Sequence, residues 1–146
     1  MKGTIVAVCI SDTKGVRKIP CPSGAFLENY GMANDAHAEC GINRQVSLLS
    51  VGSIEKMKRM GLDVGPGDFA ENLTVEGMEL YTLLPGTKVA VGGEVILEIS
   101  QIGKACHTGC AIFKEVGKCI MPKEGVFAKV VKGGEIRTGD EVEVVK

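Results

Sequence analysis

Residues 101–110, QIGKACHTGC, bring two cysteines, a histidine and a lysine into one short run. Cys106 follows the alternating apolar stretch EVILEISQIG and precedes a candidate helix start, with Lys104 two residues before it and His107 directly after. A thiol at a helix N-terminus beside cations is favoured as thiolate, because N–H dipoles and neighbouring positive charge stabilise the anionic sulfur. That is the form a nucleophile or a soft metal ligand needs. A structural cysteine at a strand end would leave the same local trace, so the spacing alone leaves both roles open. A metal site competes as well: His37-Ala-Glu-Cys40 and His107-Thr-Gly-Cys110 together offer the four N and S ligands of a tetrahedral zinc centre, although neither has the two-cysteine knuckle spacing.

A third stretch, GDFAENLTVEG, sets Glu71 and Asn72 between a glycine-bearing turn and the strand-like LTV. The pair could close a turn through side-chain to backbone bonds, or present a carboxylate and an amide to the donors and acceptors of a heterocycle.

These residues need elements to hold them. GTIVAVCIS reads as a buried first strand, with Cys9 as a small core hydrophobe. Residues 12–41 are rich in Gly, Pro, Asn and Asp and form a long loop region with room for short strands. RQVSLLS is a strand, and GSIEKMKRMG a short helix with Ser53 as N-cap, Glu55 in the first turn, Lys58 and Arg59 in the last and Gly61 at the exit. The second half is plainer β: a Pro85-Gly86 turn, a Gly92-Gly93 hairpin, then strand, Gly133-Gly134 turn, short strand, Gly139-Asp140 turn and last strand. HTGCAIFKEVGK reads as one or two helical turns between Thr108 and Gly117. Many short strands with glycine turns predict a mainly β protein built as a closed or nearly closed barrel, one domain over residues 1–146. No alternation of strands with long helices is present, which argues against a dinucleotide-binding sheet.

With 17 basic and 18 acidic residues the net charge is -1, and no basic stripe suggests nucleic acid. The apolar run Ile5–Ile10 is too short for a signal-peptide core or a membrane span, so a soluble cytoplasmic protein is expected, its six cysteines reduced.

Three segments, DAHAECGINRQVSLLS, GDFAENLTVEG and LEISQIGKACHTGC, resemble in order and spacing those of the MOSC domain, the module named for the C-terminal part of molybdenum-cofactor sulfurases. The resemblance runs from about Lys14 to Lys146 and implies a β-barrel-like fold. It implies that Cys106 carries sulfur as a persulfide or binds molybdenum of a pterin cofactor through its thiolate. Arg44 and Lys104 match cations expected at the pterin phosphate, Asn72 an amide for the ring, and Glu71, His37 and His107 stand among the residues around the cofactor. The chain departs from the family pattern at Asn34, where glycine often precedes the aspartate, at Ala70, where glycine often precedes Glu-Asn, and ahead of the cysteine, where the usual Arg-x-Pro-Cys is Gly103-Lys104-Ala105-Cys106, so that the arginine is missing and Lys104 is the cation that could stand in for it. A lysine there is a point charge and not a bidentate clamp.

Cys110 and Cys119 could resolve a persulfide or simply pack, and Cys21 and Cys40 carry no assigned task. Larger relatives place a pyridoxal-phosphate desulfurase domain ahead of this module. Pyridoxal phosphate is therefore not expected on this chain, and the implied partner is a separate cysteine desulfurase or a molybdoenzyme. Two other functions are compatible with the same residues: a cofactor-dependent reductase of N-hydroxylated compounds fed by an electron-donor protein, and a zinc-stabilised binding module using the two H-x-x-C pairs.

Overall fold

The computed structural model describes residues 2–14, 16–103 and 121–145. Its first strand, β1 (Lys2–Ile10), is continuously apolar at its centre because a bulge between Ile5 and Ala7 shifts its phase. Ile5 and Val8 therefore both enter the main core, whereas strict alternation would send them to opposite faces. The loop region that follows holds three short strands, β2 (Ile19–Cys21), β3 (Ser23–Leu27) and β4 (Gly31–Met32).

β5 (Val46–Ser50) leads directly into helix α1 (Val51–Arg59), and the chain returns as β6 (Leu73–Glu76), parallel to β5 with Leu48 opposite Leu73. A parallel return requires a crossover, and α1 supplies it. A single 3-10 turn (Leu80–Thr82) precedes the hairpin of β7 (Lys88–Val91) and β8 (Val95–Ile102), which turns at Gly92 and Gly93, both at positive φ. A short helix α2 (Met121–Glu124) then leads into β9 (Val126–Lys132), β10 (Gly134–Arg137) and β11 (Glu141–Val145).

Seven strands close the barrel among the described residues, in the order β1, β11, β7, β8, β9, β5, β6 and back to β1, with β2 attached to the end of β1. The expected closed barrel is present. Its interior is filled by Ile5, Val8, Leu48, Leu73, Val75, Val89, Leu97, Ile99 and Val142, among others. A second sheet, β10-β3-β4, adds Phe26, Met32 and Ile136 to the same core.

The expected Gly133-Gly134 hairpin does not form. β10 pairs with β3 and not with β9, so the chain crosses at Gly133 from the barrel to the second sheet. A β-carbon at Gly133 would lie 2.6 Å from the carbonyl oxygen of Phe26, so glycine there permits a close strand approach and not a reversal.

Helix α1 also begins earlier than its sequence suggests. Its N-cap is Ser50, whose hydroxyl instead accepts the Leu80 N–H at 2.9 Å, and Glu55 falls outside the first turn. Ser53 lies buried inside the helix and donates to Glu124 Oε1 at 2.6 Å. Lys58 and Arg59 do lie in the last turn, and Gly61, at φ +91°, closes the helix by bonding Lys58 O. Ile54 and Met57 pack on Leu49, Val64, Phe69 and Phe127, a second small core on the outside of the barrel wall.

Candidate functional site

The site is built on that outer wall. Val46, Leu48, Val126 and Ala128 enter the barrel core, so the residues between them, Ser47 and its cross-strand partner Phe127, face outward.

Asn72 ties three strands at this point. Its Oδ1 accepts from Ser47 N at 3.0 Å and Ser47 Oγ at 3.2 Å, and its Nδ2 donates to Cys9 O at 3.2 Å. The side chain is wholly buried. Glu71 is equally buried: Oε2 accepts from Gly67 N at 3.0 Å and Thr74 Oγ1 at 2.9 Å, and Oε1 from Phe69 N at 3.3 Å. Burial pushes its carboxyl from 4.5 up to about 7, against the pull of these donors. The bonds wrap residues 67–71 around one carboxylate and hold Ala70 in the left-handed region at φ +64°. Glycine adopts that conformation without penalty, which accounts for its frequency at this place in the family pattern.

A second polar cluster lies across the loops. Lys18, with a side chain 0% exposed, donates from Nζ to Asp35 Oδ1 at 2.8 Å and to His37 Nδ1 at 2.9 Å. Asp35 also accepts the N–H of Ser11 on Oδ1 and of His37 on Oδ2, each at 3.1 Å. Burial alone would raise the Asp35 carboxyl, but the Lys18 ammonium and the two backbone donors outweigh it and hold it below its usual range. The backbone N–H of Lys18 donates to Gly67 O at 2.8 Å, which joins this cluster to the Glu71 turn.

Between the two clusters opens a cleft of about 250 Å³ lined by Lys14, His37, Ile42, Arg44, Ser47, Ala70 and Phe127. The Arg44 guanidinium lies 5.8 Å from the centre of the Phe127 ring, within the range of cation–π attraction. Positive and donor groups thus sit beside a partly apolar floor, a lining suited to an anion attached to a flat ring.

Of the residues singled out in the sequence, Arg44 and His37 meet in this cleft, while Glu71 and Asn72 stand behind its wall and do not line it. Lys104, Cys106, His107, Cys110 and Cys119 lie outside the described residues, as does the helix expected over HTGCAIFKEVGK. Among the described residues on either side, Gly103 N donates to Gly125 O at 2.7 Å. Among the described residues no group of His, Cys, Asp and Glu could hold a metal ion; Cys40 is exposed, and the second H-x-x-C pair is not described. Cys9 is a packing thiol, pushed up to about 12 by burial and then by the Glu71 carboxylate. Nothing in the local sequence marks Lys14, Lys18, Ser47 or Phe127 as site residues; Lys18, for one, stands in a glycine-bearing loop with no local sign that it will be buried.

A family model for the MOSC domain matches residues 35–143. The chain belongs to the MOSC domain family. Solved structures agree on the fold: YuaD from Bacillus subtilis superimposes with a TM-score of 0.81 at 20% identity, covering 99% of this chain and 96% of that one. YiiM from Geobacillus stearothermophilus gives 0.73 at 18% identity over 99% and 75%, and YiiM from Escherichia coli 0.72 at 18% over 100% and 70%. A comparison with curated proteins found no match. Within this MOSC domain, no helix among the described residues is long and apolar enough to cross a membrane.

Proposed function

We propose that this MOSC domain binds a molybdenum–pterin cofactor at the Arg44–His37 cleft and handles sulfur or the metal through Cys106. The observation that carries the reading is the cleft itself, with Lys14, His37 and Arg44 beside Phe127, in a family associated with that cofactor. The residues fit the group in charge and shape: Lys14 and Arg44 would hold a phosphate, and Phe127 and Ile42 give a ring an apolar face. At about 250 Å³ the described walls suit a phosphate and part of a ring system, just under the roughly 300 Å³ at which ligand pockets usually begin. Asn72 and Glu71 serve the cleft from behind, by fixing Ser47 and Ala70. When bound, the cofactor supplies the redox and ligand-transfer chemistry of molybdenum.

The family resemblance supports the role of Cys106. It is the first cysteine of the segment LEISQIGKACHTGC, which resembles the family's strand leading into its cysteine. As carrier, the Cys106 thiolate attacks the outer sulfur of a persulfide on a desulfurase. The S–S bond of the donor breaks, its thiolate leaves, and Cys106 holds the persulfide.

Intact mass spectrometry after incubation with a cysteine desulfurase and cysteine tests this. A gain of one sulfur atom in wild type, absent in Cys106→Ser, is the expected outcome. A folded wild-type protein that gains no sulfur and retains no molybdenum when the cofactor is offered refutes the reading.

A further inference from the structure

Glu71 is a carboxyl group enclosed by neutral donors, with no cation bonded to it. It is 0% exposed, and its oxygens accept from Gly67 N, Phe69 N and Thr74 Oγ1. Such a nest can hold the acid as well as the anion. A threonine hydroxyl both donates and accepts, so Thr74 Oγ1, 2.9 Å from Oε2, can turn its hydrogen away and accept from a protonated Oε2 while the turn keeps its shape. Burial favours the acid and pushes the group up to about 7.

The same carboxyl stands directly behind the cleft. Ala70, the preceding residue, lines it, and Ser47 Oγ, from the opposite strand of the lining, donates to Ala70 O at 3.1 Å. An anion in the cleft and an ionised Glu71 would be like charges on the two sides of one buried wall, where they repel far more than through water. Other ionisable groups surround Glu71. On β1 is Cys9, raised to about 12, with Cys21 beyond it on β2, also raised by burial. Lys18 donates its N–H to Gly67 O and gives its ammonium to Asp35, and Asp68, in the same turn as Glu71, is bridged to Arg17 at 3.7 Å. Across the wall are Lys14, Arg44 and His37, of which histidine is the type that changes charge near neutrality.

We propose that Glu71 is a proton site coupled to the cleft: an oxyanion bound there is held together with a proton on the Glu71 carboxyl, so the protein takes up anion and proton as a pair and releases both as pH rises. The proton comes from solvent and returns to it. This deepens the cofactor reading, on which it rests for the place of the anion, by giving the same cleft a pH control.

Sulfate is the probe, because it stays a dianion from about pH 5 to about pH 8, whereas phosphate changes charge in that range. Carboxyl ¹³C NMR of Glu71 in the wild-type protein, with ionic strength held constant by chloride, reads its protonation with and without sulfate. The midpoint should rise by about half a unit or more when sulfate binds. By reciprocity, calorimetry should then find sulfate bound about two- to threefold tighter at pH 6 than at pH 8. That ratio should persist in His37→Gln, which removes the other titrating group, and fall to about one in His37→Gln/Glu71→Gln. A Glu71 midpoint left unmoved by bound sulfate overturns the coupling and leaves the cleft reading standing. Absence of sulfate binding at either pH removes both.

Discussion

Glu71 is a carboxylate enclosed by neutral donors, and its proton binding is written into the stability of the protein. Its folded value, about 7, lies above its ordinary 4.5, so between those limits the folded chain holds a proton that the unfolded chain releases. Stability therefore falls as pH rises from about 4.5 to about 7, by up to about 3 kcal/mol from this group. Urea titrations at pH 5 and pH 8 should show this slope in wild type and a much flatter one in Glu71→Gln, which keeps an acceptor oxygen for Gly67 N and Thr74 Oγ1 and gives up the 3.3 Å bond from Phe69 N. Asp35 works in the opposite sense and in another window: held low by Lys18, it contributes stability that is lost only as pH falls below its ordinary 3.8. Acid unfolding at that end should be blunted in Lys18→Met/Asp35→Asn. A flat profile for wild type across both windows would contradict the burial of these two groups.

At the scale of elements, the turn over residues 67–71 decides whether the cleft has a floor. Gly67 sits at φ +86°, and a β-carbon there would meet the Lys18 carbonyl oxygen at 2.3 Å. Gly67→Ala combines a left-handed penalty with overpacking and should cost about 3 kcal/mol. Gly61, at φ +91° with nothing within 4 Å, bears only the backbone penalty, and Gly61→Ala should cost about 1 kcal/mol. Thermal melts of the two variants separate these contributions. Much of this was legible in the sequence: the strands of the second half, the hairpin at Gly92-Gly93 and the helix exit at Gly61 follow local rules that need no partner. Ser53 as N-cap and the Gly133-Gly134 reversal did not follow, because Glu124 and Phe26, distant in sequence, decide those positions. The cleft was half legible. Arg44 and His37 stood out by motif, whereas Lys18 is defined by burial against residues 17 and 19 positions away, which no local pattern encodes.

At the scale of the molecule, closure depends on a small seam. β1 meets β11 through Lys2, Gly3 and Thr4 opposite Glu143, Val142 and Glu141, and the charges of Lys2 with Glu141 and Glu143 lie on its exposed side, where they contribute little. Val142 is the part of β11 that fills the core. Removal of residues 141–146 should therefore open β1 and β7 as bare edges, and gel filtration should show association where the full chain with Lys2→Ala shows none. The closed barrel was expected from strand count and glycine spacing; which strands meet at the seam was not, since non-local pairing leaves no local mark. The seam also bears on how the protein is made. Because the strand that completes the ring is the last of the described barrel strands in chain order, the nascent chain carries two unpaired edges until β11 has emerged and paired, and its exposure to chaperones and to misassociation lasts until then.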